Sequence, residues 1–271
     1  MTKWIKKVLY RLLGQAAYLK TLHVIFFILY DLGLLKRNYL YKYHYFIKNI
    51  INKGDFVVDI GANLGYFSKI FSRLVGSEGK VISIEPVKPF FDTLKWGLRK
   101  KLNCLLYNYA LGLENKKIEM VLPIINGSFR TGLAHIATGR TDKDDSLSFK
   151  TEMVKGSSLL NQLPKIDYIK CDIEGYEEYV LPELKEIIEK QKPILQIETG
   201  GTPKIIVFNL MKELGYIQYS VYKNKLVRNF PEEIESGDYI FIHGSSELKI
   251  ANNLMNSNSD LYPNLQHVKG K

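Results

Sequence analysis

The sequence predicts an α/β fold in which helices cover both faces of a parallel β-sheet. From residue 55 onward, short apolar runs rich in β-branched residues alternate with stretches whose apolar residues recur at helical spacing. The first run ends at Gly61 and the second at Glu85-Pro86, where a buried strand would enter a loop. This alternation is typical of parallel strands joined by helices that cross the sheet.

The elements follow one another in a regular order with one interruption. Strands are expected at residues 56–60, 81–84, 104–107, 168–171, 194–197, 217–221 and 239–243. Helices are expected from Tyr66, near Phe90, up to Lys190 with a break at Pro182, and over Lys204–Leu214. Residues 115–158 break the rhythm, because 118–122 and 148–154 read as antiparallel strands separated by loop sequence such as Asn126-Gly127 and Thr138-Gly139-Arg140.

Composition and charge divide the chain into three parts. Of 271 residues, 46% are hydrophobic and 24% charged, which is typical of a globular protein. Residues 1–50 hold nine of the 38 basic residues and one of the 28 acidic ones, so most of the net charge of +10 lies there. We therefore expect a basic N-terminal helical segment over 1–50, a main domain over 51–245, and a polar tail over 246–271. A nearly neutral main domain argues against nucleic acid as a partner.

Two further features bear on location. Cys104 and Cys171 are too few for a disulfide framework or a four-thiolate zinc site, which favours a reducing, cytoplasmic compartment. The longest apolar run, from Val24 to Tyr30, is closed by Asp31 and is shorter than the roughly 20 residues of a membrane-spanning helix. We expect neither a transmembrane span nor a cleaved signal.

The stretch from Asp59 to Gly65 has the pattern D-x-G-x-N-x-G between a predicted strand and a predicted helix. Glycine lets a ligand approach the backbone closely, and Glu85, at the end of the next strand, is placed to accept hydrogen bonds from ribose hydroxyls. The pattern departs from the dinucleotide fingerprint G-x-G-x-x-G. Because Asp59 would repel a pyrophosphate and attract a cation, we expect S-adenosylmethionine (SAM), which carries an ammonium and a sulfonium.

With these motifs the chain resembles the FkbM family of SAM-dependent methyltransferases. The resemblance covers about residues 50–245. It rests on residues 58–65, Ile84-Glu85-Pro86, residues 108–112, residues 169–177, Gln196-Ile197-Glu198 and Leu214-Gly215-Tyr216. It implies a Rossmann-like class I methyltransferase with a seven-stranded, mostly parallel sheet whose last hairpin is reversed.

The resemblance also implies roles for individual residues. Asp59, Gly61, Ala62, Asn63 and Gly65 would hold the methionine part of the cofactor, and Glu85 with Pro86 would hold the ribose. Ala110 and its neighbours would border the adenine. Asp172 would face the methionine end and the acceptor.

Methyl transfer to a hydroxyl benefits from a base that takes the proton. The candidates are His135 in the inserted segment, Asp172, Glu174 and Glu198, and Lys170 could hold a carboxylate or an acceptor oxygen. Two of them have simpler interpretations: Glu174 as a helix cap and Glu198 as a strand terminus. We predict no metal site, although Asp172, Glu174 and Glu198 could offer hard oxygen ligands to a divalent ion.

The expected function is SAM-dependent O-methylation of a hydroxyl on a sugar, glycan or glycolipid precursor, in polysaccharide biosynthesis. The alternatives are methylation of a small secondary metabolite and a SAM-binding protein without catalysis. A nucleic-acid methyltransferase is disfavoured, because Asp172-Ile173-Glu174-Gly175 differs from the aromatic motif of base-methylating enzymes. The insertion over residues 115–158 should cover the acceptor.

Residues 1–50 leave three alternatives open. Apolar residues recur at helical spacing among basic residues, namely Trp4, Ile5, Val8, Leu9, Leu12 and Leu13. This pattern suits an anionic membrane surface at the inner face of the membrane. The same segment could instead be a helical cap on its own domain or an interface in a homo-oligomer.

Overall fold

The computed structural model describes residues 3–125, 128–129, 132–137, 146–228 and 236–246. Its helices are α1 (Lys3–Asp31), α2 (Lys42–Phe46), α3 (Tyr66–Val75), α4 (Lys88–Leu98), α5 (Gly156–Leu160), α6 (Glu177–Glu183), α7 (Lys185–Gln191) and α8 (Gly201–Glu213). Short 3₁₀ turns lie at Tyr39–Tyr41 and Ile47–Asn49. The predicted tail over 246–271 lies outside the described residues apart from Ser246.

The strands fall into two sheets, which confirms the α/β class. They are β1 (Phe56–Ile60), β2 (Lys80–Ile84), β3 (Cys104–Tyr107), β4 (Ala110–Gly112), β5 (Lys116–Ile125), β6 (Ser128–Phe129), β7 (His135–Ile136), β8 (Ser146–Lys155), β9 (Tyr168–Cys171), β10 (Ile194–Gly200), β11 (Tyr216–Tyr222), β12 (Lys225–Arg228) and β13 (Ser236–His243). Pro182 lies inside α6, and the break between α6 and α7 confirms the predicted interruption.

The main sheet has the strand order β12-β11-β13-β10-β9-β1-β2-β3. Strands β3, β2, β1, β9 and β10 are parallel, whereas β13 runs antiparallel to both β10 and β11. The parallel part and the reversed hairpin at its edge are as predicted. The chain crosses over at β1, where the order reverses, and ligands of such sheets bind beyond the carboxyl ends of the strands at this point.

The sheet has eight strands in place of the predicted seven, because β12 was not predicted. It pairs antiparallel with β11 through a two-residue turn, Lys223-Asn224, whose φ values are 47° and 61°. Positive φ at both central residues defines a type I′ hairpin turn, which usually carries Asn-Gly or Asp-Gly. Lys-Asn lacks that glycine, so no residue pattern here indicated a hairpin.

The insertion over 115–158 forms the second sheet, as the two predicted antiparallel strands required. Strands β5 and β8 pair from Lys116↔Met153 to Pro123↔Ser146. Strands β6 and β7 also pair with β5, and β4 joins β8 in parallel. The predicted loop residues Asn126-Gly127 and Thr138-Gly139-Arg140 lie outside the described part of the chain.

Two apolar clusters fill the two faces of the main sheet. One packs Ile60, Ile84 and Ile169 against α6, α7 and α8. The other packs Val57 and α3 against residues of the N-terminal segment such as Phe46 and Ile47. The predicted helices over 1–50 are therefore present and form part of the main core. In the predicted stripe from Trp4 to Leu13, the side chains up to Leu9 lie outside the described set, and Leu12 and Leu13 are exposed.

Helix α1 bends at Gly14, whose φ of 68° and ψ of 170° are not helical. Its part from Tyr10 to Asp31 spans 22 residues at a mean hydropathy of 1.6, with 28% of the most apolar window buried. By length and composition alone this helix could cross a membrane, contrary to the expectation from the apolar run at Val24–Tyr30. Hydropathy averaged along a helix also counts alanines, leucines and tyrosines that lie outside the continuous run.

Candidate functional site

A cavity of about 220 Å³ lies at the carboxyl ends of β1, β2, β9 and β10, under the inserted sheet. It is lined by Ile60, Gly61, Asn63, Ile84, Glu85, Pro86, Val87, Phe90, Tyr109, Ala110, Leu111, Met120, Gly132, Ala134, Ile136, Asp172, Ile173, Glu174, Tyr176 and Glu198. Apolar walls with a few convergent polar groups are typical of a small-molecule site.

The loop after β1 forms the floor of the cavity. A close contact with the Asp172 backbone requires glycine at position 61 of this loop. Gly61 has a φ of 81°, and a Cβ placed there would lie 1.8 Å from the carbonyl oxygen of Asp172. The backbone amides of Gly61 and Ala62 both donate to the carbonyl of Ile84 at 3.0 Å. The loops that follow β1, β2 and β9 are thereby held together at one point.

Glu85 joins the loops after β1 and β2. Its carboxylate accepts hydrogen bonds from the amides of Asn63 and Val87, each at 2.8 Å. Asn63 has a φ of 51°, a conformation that Asn tolerates better than most residues. The Glu85 side chain is only 4% exposed, and burial raises its pKa to about 7. Each bonded carboxylate oxygen keeps a second lone pair for a ribose hydroxyl.

Beneath the cavity, a row of polar side chains crosses four neighbouring strands in register: Ser83, Asp59, Lys170 and Gln196. All four are buried. Asp59 accepts a hydrogen bond from Ser68 of α3 at 2.5 Å, and Ser83 donates to the same serine at 2.9 Å. The row lies on the face of the sheet that α3 covers.

Lys170 carries the positive charge of this row. Its ammonium lies 2.7 Å from Oδ2 of Asp172, and its side chain is 3% exposed. Burial works against the charge, but the carboxylates of Asp172, Asp59 and Asp238 outweigh it and raise the pKa of Lys170 above its usual value. The ion pair fixes Asp172 at the edge of the cavity.

Three carboxylates line the side of the cavity formed by the ends of β9 and β10, namely those of Asp172, Glu174 and Glu198. Burial, followed by the charge of Asp172, raises the pKa of Glu174 to about 7 and that of Glu198 to about 8. Both side chains nevertheless have substantial exposed area, so solvent screens part of this effect. Side chains that change charge near neutral pH are suited to proton transfer.

Glu174 is not the N-cap of α6, because Tyr176 occupies that position. The acid that orders the loop before the helix is Glu177. The amides of Ile173 and Gly175 donate to the Glu177 carboxylate at 2.8 and 3.0 Å, just before α6 begins. Glu174 instead lines the cavity, on a backbone with a φ of 56°. A left-handed conformation is uncommon for Glu and often accompanies a functional site.

The inserted sheet forms the wall opposite these acids. Ala134 and Ile136 line the cavity, whereas His135 between them does not. His135 Nδ1 lies 3.1 Å from the carbonyl of Leu133, and its charge lowers the pKa of Glu174. His135 is thus a neighbour of the acid cluster, and its role as a base stays a prediction.

The N-terminal segment supports the loop after β1 from behind. His23 is 1% exposed, and its Nδ1 lies 2.8 Å from the carbonyl of Leu64. Burial lowers the pKa of His23 to about 4, so the ring is neutral at pH 7. Because the Leu64 carbonyl can only accept, Nδ1 carries the proton. Tyr18 and Leu19 of α1 also pack in one cluster with Val87, Phe90 and Met120 of the cavity wall.

The cavity brings most of the predicted residues together. Gly61, Asn63, Glu85, Pro86, Ala110, Asp172, Glu174 and Glu198 line it. Asp59, Ala62, Gly65, Lys170 and His135 are not among the lining residues, and Asp59 and Lys170 lie in the row beneath. In this arrangement Asp59 would act through the loop, and its direct contact with methionine stays a prediction.

Sequence reasoning missed the apolar and aromatic lining. Val87, Phe90, Met120 and Tyr176 all face the cavity, whereas Tyr109 and Leu111, which also face it, are the neighbours of Ala110 that were expected near the adenine. Tyr176 stands inside the motif at residues 169–177, so adjacency was an available signal. Met120 offered none, because its place on the wall depends on how the inserted sheet folds over the site.

SAM fits the chemistry of this site. Backbone at positive φ permits close approach, Glu85 offers lone pairs to a ribose, apolar side chains can flank an adenine, and the acids suit a sulfonium. Among the residues that the structure describes, no group of three or more His, Cys, Asp or Glu side chains is arranged to hold a metal ion. Cys104 and Cys171 are free cysteines.

A family model matches more than half of the chain. The model of the family described as "Methyltransferase FkbM domain" matches residues 59–218. The structure is similar to methyltransferase FkbM from Methylobacillus flagellatus KT, at 17% identity and a TM-score of 0.47, covering 70% of this chain and 43% of that one. This chain thus corresponds to less than half the length of that relative.

Two further solved structures are similar. One is a SAM-dependent O-methyltransferase from Thermotoga maritima, at 12% identity and a TM-score of 0.44, covering 79% of this chain and 69% of that one. The other is Aeropyrum pernix fibrillarin with natively bound SAM, at 11% identity and a TM-score of 0.37, covering 71% and 68%. No curated protein matches the chain. On the family match over more than half of its length, the chain belongs to the FkbM family of SAM-dependent methyltransferases.

Proposed function

We propose that this enzyme methylates a hydroxyl oxygen of a sugar, a glycan or a glycolipid precursor. The observation that carries the proposal is the group of three carboxylates, Asp172, Glu174 and Glu198, on one side of the cavity. A sugar hydroxyl is a weak nucleophile, and a carboxylate with a pKa near 7 to 8 can accept its proton at neutral pH.

Glu198 is the base that we favour among the three. It lies on β10, opposite Asp238 of β13 and one residue beyond the last pair with β9, so its backbone is held in the sheet. Asp172 is engaged by Lys170 at 2.7 Å, and Glu174 stands on a loop. A base must be held accurately, and a strand inside a sheet does this better than a loop.

SAM, when bound, supplies an electrophilic methyl group on a sulfonium. The residues of the chain then have separate tasks. Glu85 and the Gly61 loop orient the cofactor, and the wall of Ala134 and Ile136 limits access of water to the acceptor oxygen. Glu198 would take the hydroxyl proton as that oxygen bonds the methyl carbon and the methyl–sulfur bond breaks to leave a neutral thioether. Alignment of the two reactants at about 3–3.5 Å supplies much of the rate.

An aromatic pair beside the acids supports a sugar as the acceptor. Tyr176 lines the cavity, and its ring centroid lies 4.7 Å from that of Tyr179, which is 42% exposed. Tyrosine rings, which carry a polar hydroxyl group, bind ligands that present both apolar and hydrated surface, as a sugar ring does. The pair would extend the binding surface from the cavity toward solvent, which suits an acceptor longer than one sugar.

A cytoplasmic enzyme of polysaccharide biosynthesis, near the inner face of the membrane, would meet such acceptors. The free thiols Cys104 and Cys171 are compatible with a reducing compartment. Methylation of a small secondary metabolite, and SAM binding without transfer, are the outcomes that would replace this proposal.

Transfer of labelled methyl from SAM to a panel of cell-envelope sugars and their lipid-linked precursors tests the proposal. The expected product is a methyl ether, which withstands mild base, whereas a methyl ester does not. Glu198→Gln should slow transfer 10²- to 10⁴-fold, and Glu189→Gln, on the exposed side of α7, should leave it unchanged. Transfer only to non-sugar metabolites, or an unaffected Glu198→Gln enzyme, would contradict the assignment.

A further inference from the structure

The N-terminal segment displays an apolar surface that nothing in the described chain covers. Half of the large hydrophobic residues exposed in the described parts of the chain fall between residues 12 and 40. This N-terminal ridge consists of Leu12, Leu13, Val24, Ile28, Leu32, Leu34, Tyr39 and Leu40. Val24, Ile28 and Leu32 follow at four-residue spacing and so share one side of the helix. Exposed apolar side chains concentrated in one segment in this way indicate an interaction site.

The other side of the same helix is committed to the core. Tyr18, Leu19, His23, Phe26 and Phe27 are all 6% exposed or less and pack against the main domain. A helix that crossed a bilayer would have to withdraw these residues from the clusters that support the sheet and the cavity wall. The helix therefore lies along the protein surface with only one side available.

Charge decides which partner fits the ridge. The segment 1–50 carries nine basic residues and one acid, Asp31. That acid is already paired with Arg73 at 2.6 Å, while Arg11, Lys36 and Arg37 are exposed beside the ridge residues. A second copy of the chain would bring an equally basic segment against this one. Nucleic acid would match the charge but not the leucines and isoleucine.

We propose that the N-terminal ridge docks on an anionic phospholipid surface, with its apolar side chains at the level of the acyl boundary and its basic side chains among the headgroups. Apolar burial combined with attraction of basic residues to anionic lipid is the physics of interfacial helices. Each basic residue near the surface strengthens binding about fivefold. Two or three in concert with the ridge give reversible, salt-sensitive attachment.

With the ridge docked on lipid, the methyltransferase site would lie in the main domain, on the side of α1 that faces away from the membrane. Helix α1 packs on the cavity wall through Tyr18 and Leu19 and holds the carbonyl of Leu64 through His23. The site thus has a fixed orientation relative to the ridge. This inference does not depend on the proposed acceptor, because lipid binding needs neither SAM nor a sugar.

Co-sedimentation of the full chain with vesicles tests the proposal. Vesicles of phosphatidylglycerol and phosphatidylcholine should bind the protein at low salt, and pure phosphatidylcholine vesicles should bind it at least tenfold less. Ile28→Glu and Arg37→Glu should each weaken binding about tenfold or more. The matched controls are Ile205→Glu on α8, where Ile205 is 63% exposed against 53% for Ile28, and Lys190→Glu on α7.

The variants and their controls distinguish membrane docking from self-association of the ridge. Binding that falls with salt, is lost in the two ridge variants and is kept in the two controls supports membrane docking. Thermal unfolding of each variant verifies that it is folded. No sedimentation with anionic vesicles at low salt would overturn the proposal. So would a dimer in solution that Ile28→Glu dissociates without any vesicle binding, because the ridge would then be a self-association surface.

Discussion

The ammonium of Lys170 lies 2.7 Å from the carboxylate of Asp172, and this ion pair links the buried polar row to the cavity. Lys170 lies near the carboxylates of Asp59, Asp172 and Asp238, and all three stabilise its positive charge. The arrangement explains how three acids can stand so near one another at the ends of β1, β9 and β13. It also holds Asp172 in one position beside the reacting groups.

Replacing Lys170 by methionine should destabilise the protein by about 3 kcal/mol, because removal of one partner leaves buried carboxylates uncompensated. Urea unfolding measures the change. Lys165→Met is the matched control, since Lys165 pairs with Asp167 at 2.8 Å with the same two-residue spacing but is 46% exposed. That variant should cost less than about 1 kcal/mol. Equal losses in the two variants would show that Lys170 does not hold the acids together.

Gly61→Ala should abolish the SAM site, and steric contact should be the main cause. A Cβ at Gly61 would lie 1.8 Å from the Asp172 carbonyl, whereas one at Gly54, with a similar φ of 86°, meets nothing within 4 Å. Gly54→Ala should therefore cost only the strain of its left-handed backbone, about 1 kcal/mol. Gly61→Ala should cost about 3 kcal/mol more. Matching unfolding midpoints and SAM affinities in the two variants would refute the close approach of the two loops.

The stability of the protein without ligand should fall as pH rises from about 5 to 9. Glu85 has an ordinary pKa of 4.5, and burial raises it to about 7 in the folded protein. Its contribution is complete below pH 4.5 and is lost as pH rises through 7, roughly 3 kcal/mol in total. Glu174 and Glu198 act in the same direction. Unfolding by urea across this range measures the slope, which Glu85→Gln should reduce and Glu78→Gln, an exposed acid, should not.

His23 should have the opposite pH dependence. Burial lowers its pKa from 6.5 to about 4, so the stability it confers is present above pH 6.5 and is lost as pH falls through 4. His23→Leu removes the donor to the Leu64 carbonyl and should cost about 2 kcal/mol at pH 7 while flattening the acid side of the profile. Thr21→Ala, which removes a hydroxyl bonded to Ala17 within the same helix, is the control. An unchanged acid limb in His23→Leu would exclude His23 as its source.

Much of the fold could be predicted from the sequence, because buried parallel strands are short apolar runs bounded by loop residues. The strands at 56–60, 104–107 and 168–171 match their predicted bounds. The edge strand β12 was missed, since Lys223 and Asn224 form a turn usually marked by glycine. Packing of the N-terminal segment on its own domain was one of three interpretations left open, because the sequence does not show which side of α1 contacts the main domain.

Site residues could be predicted where the backbone geometry requires a particular residue type or where binding and catalysis require a charged side chain. Gly61, Glu85, Asp172 and Glu198 belong to this group. The helix-cap interpretation of Glu174 was not met, because Tyr176 holds the N-cap position. Only the folded loop shows that Glu177, three residues later, accepts a hydrogen bond from the amide of Ile173. Lys170 was predicted to hold a carboxylate or an acceptor oxygen, and the structure shows that it holds Asp172.

Calorimetric titration of the protein with SAM tests the central claim most directly. The wild-type protein should bind SAM in the micromolar range, and Glu85→Gln should weaken binding at least tenfold because the ribose loses a charged acceptor. Glu78→Gln serves as the folded, exposed control. Absence of binding in the wild type, or equal affinity in wild type and a folded Glu85→Gln variant, would contradict the assignment of this cavity as the SAM site.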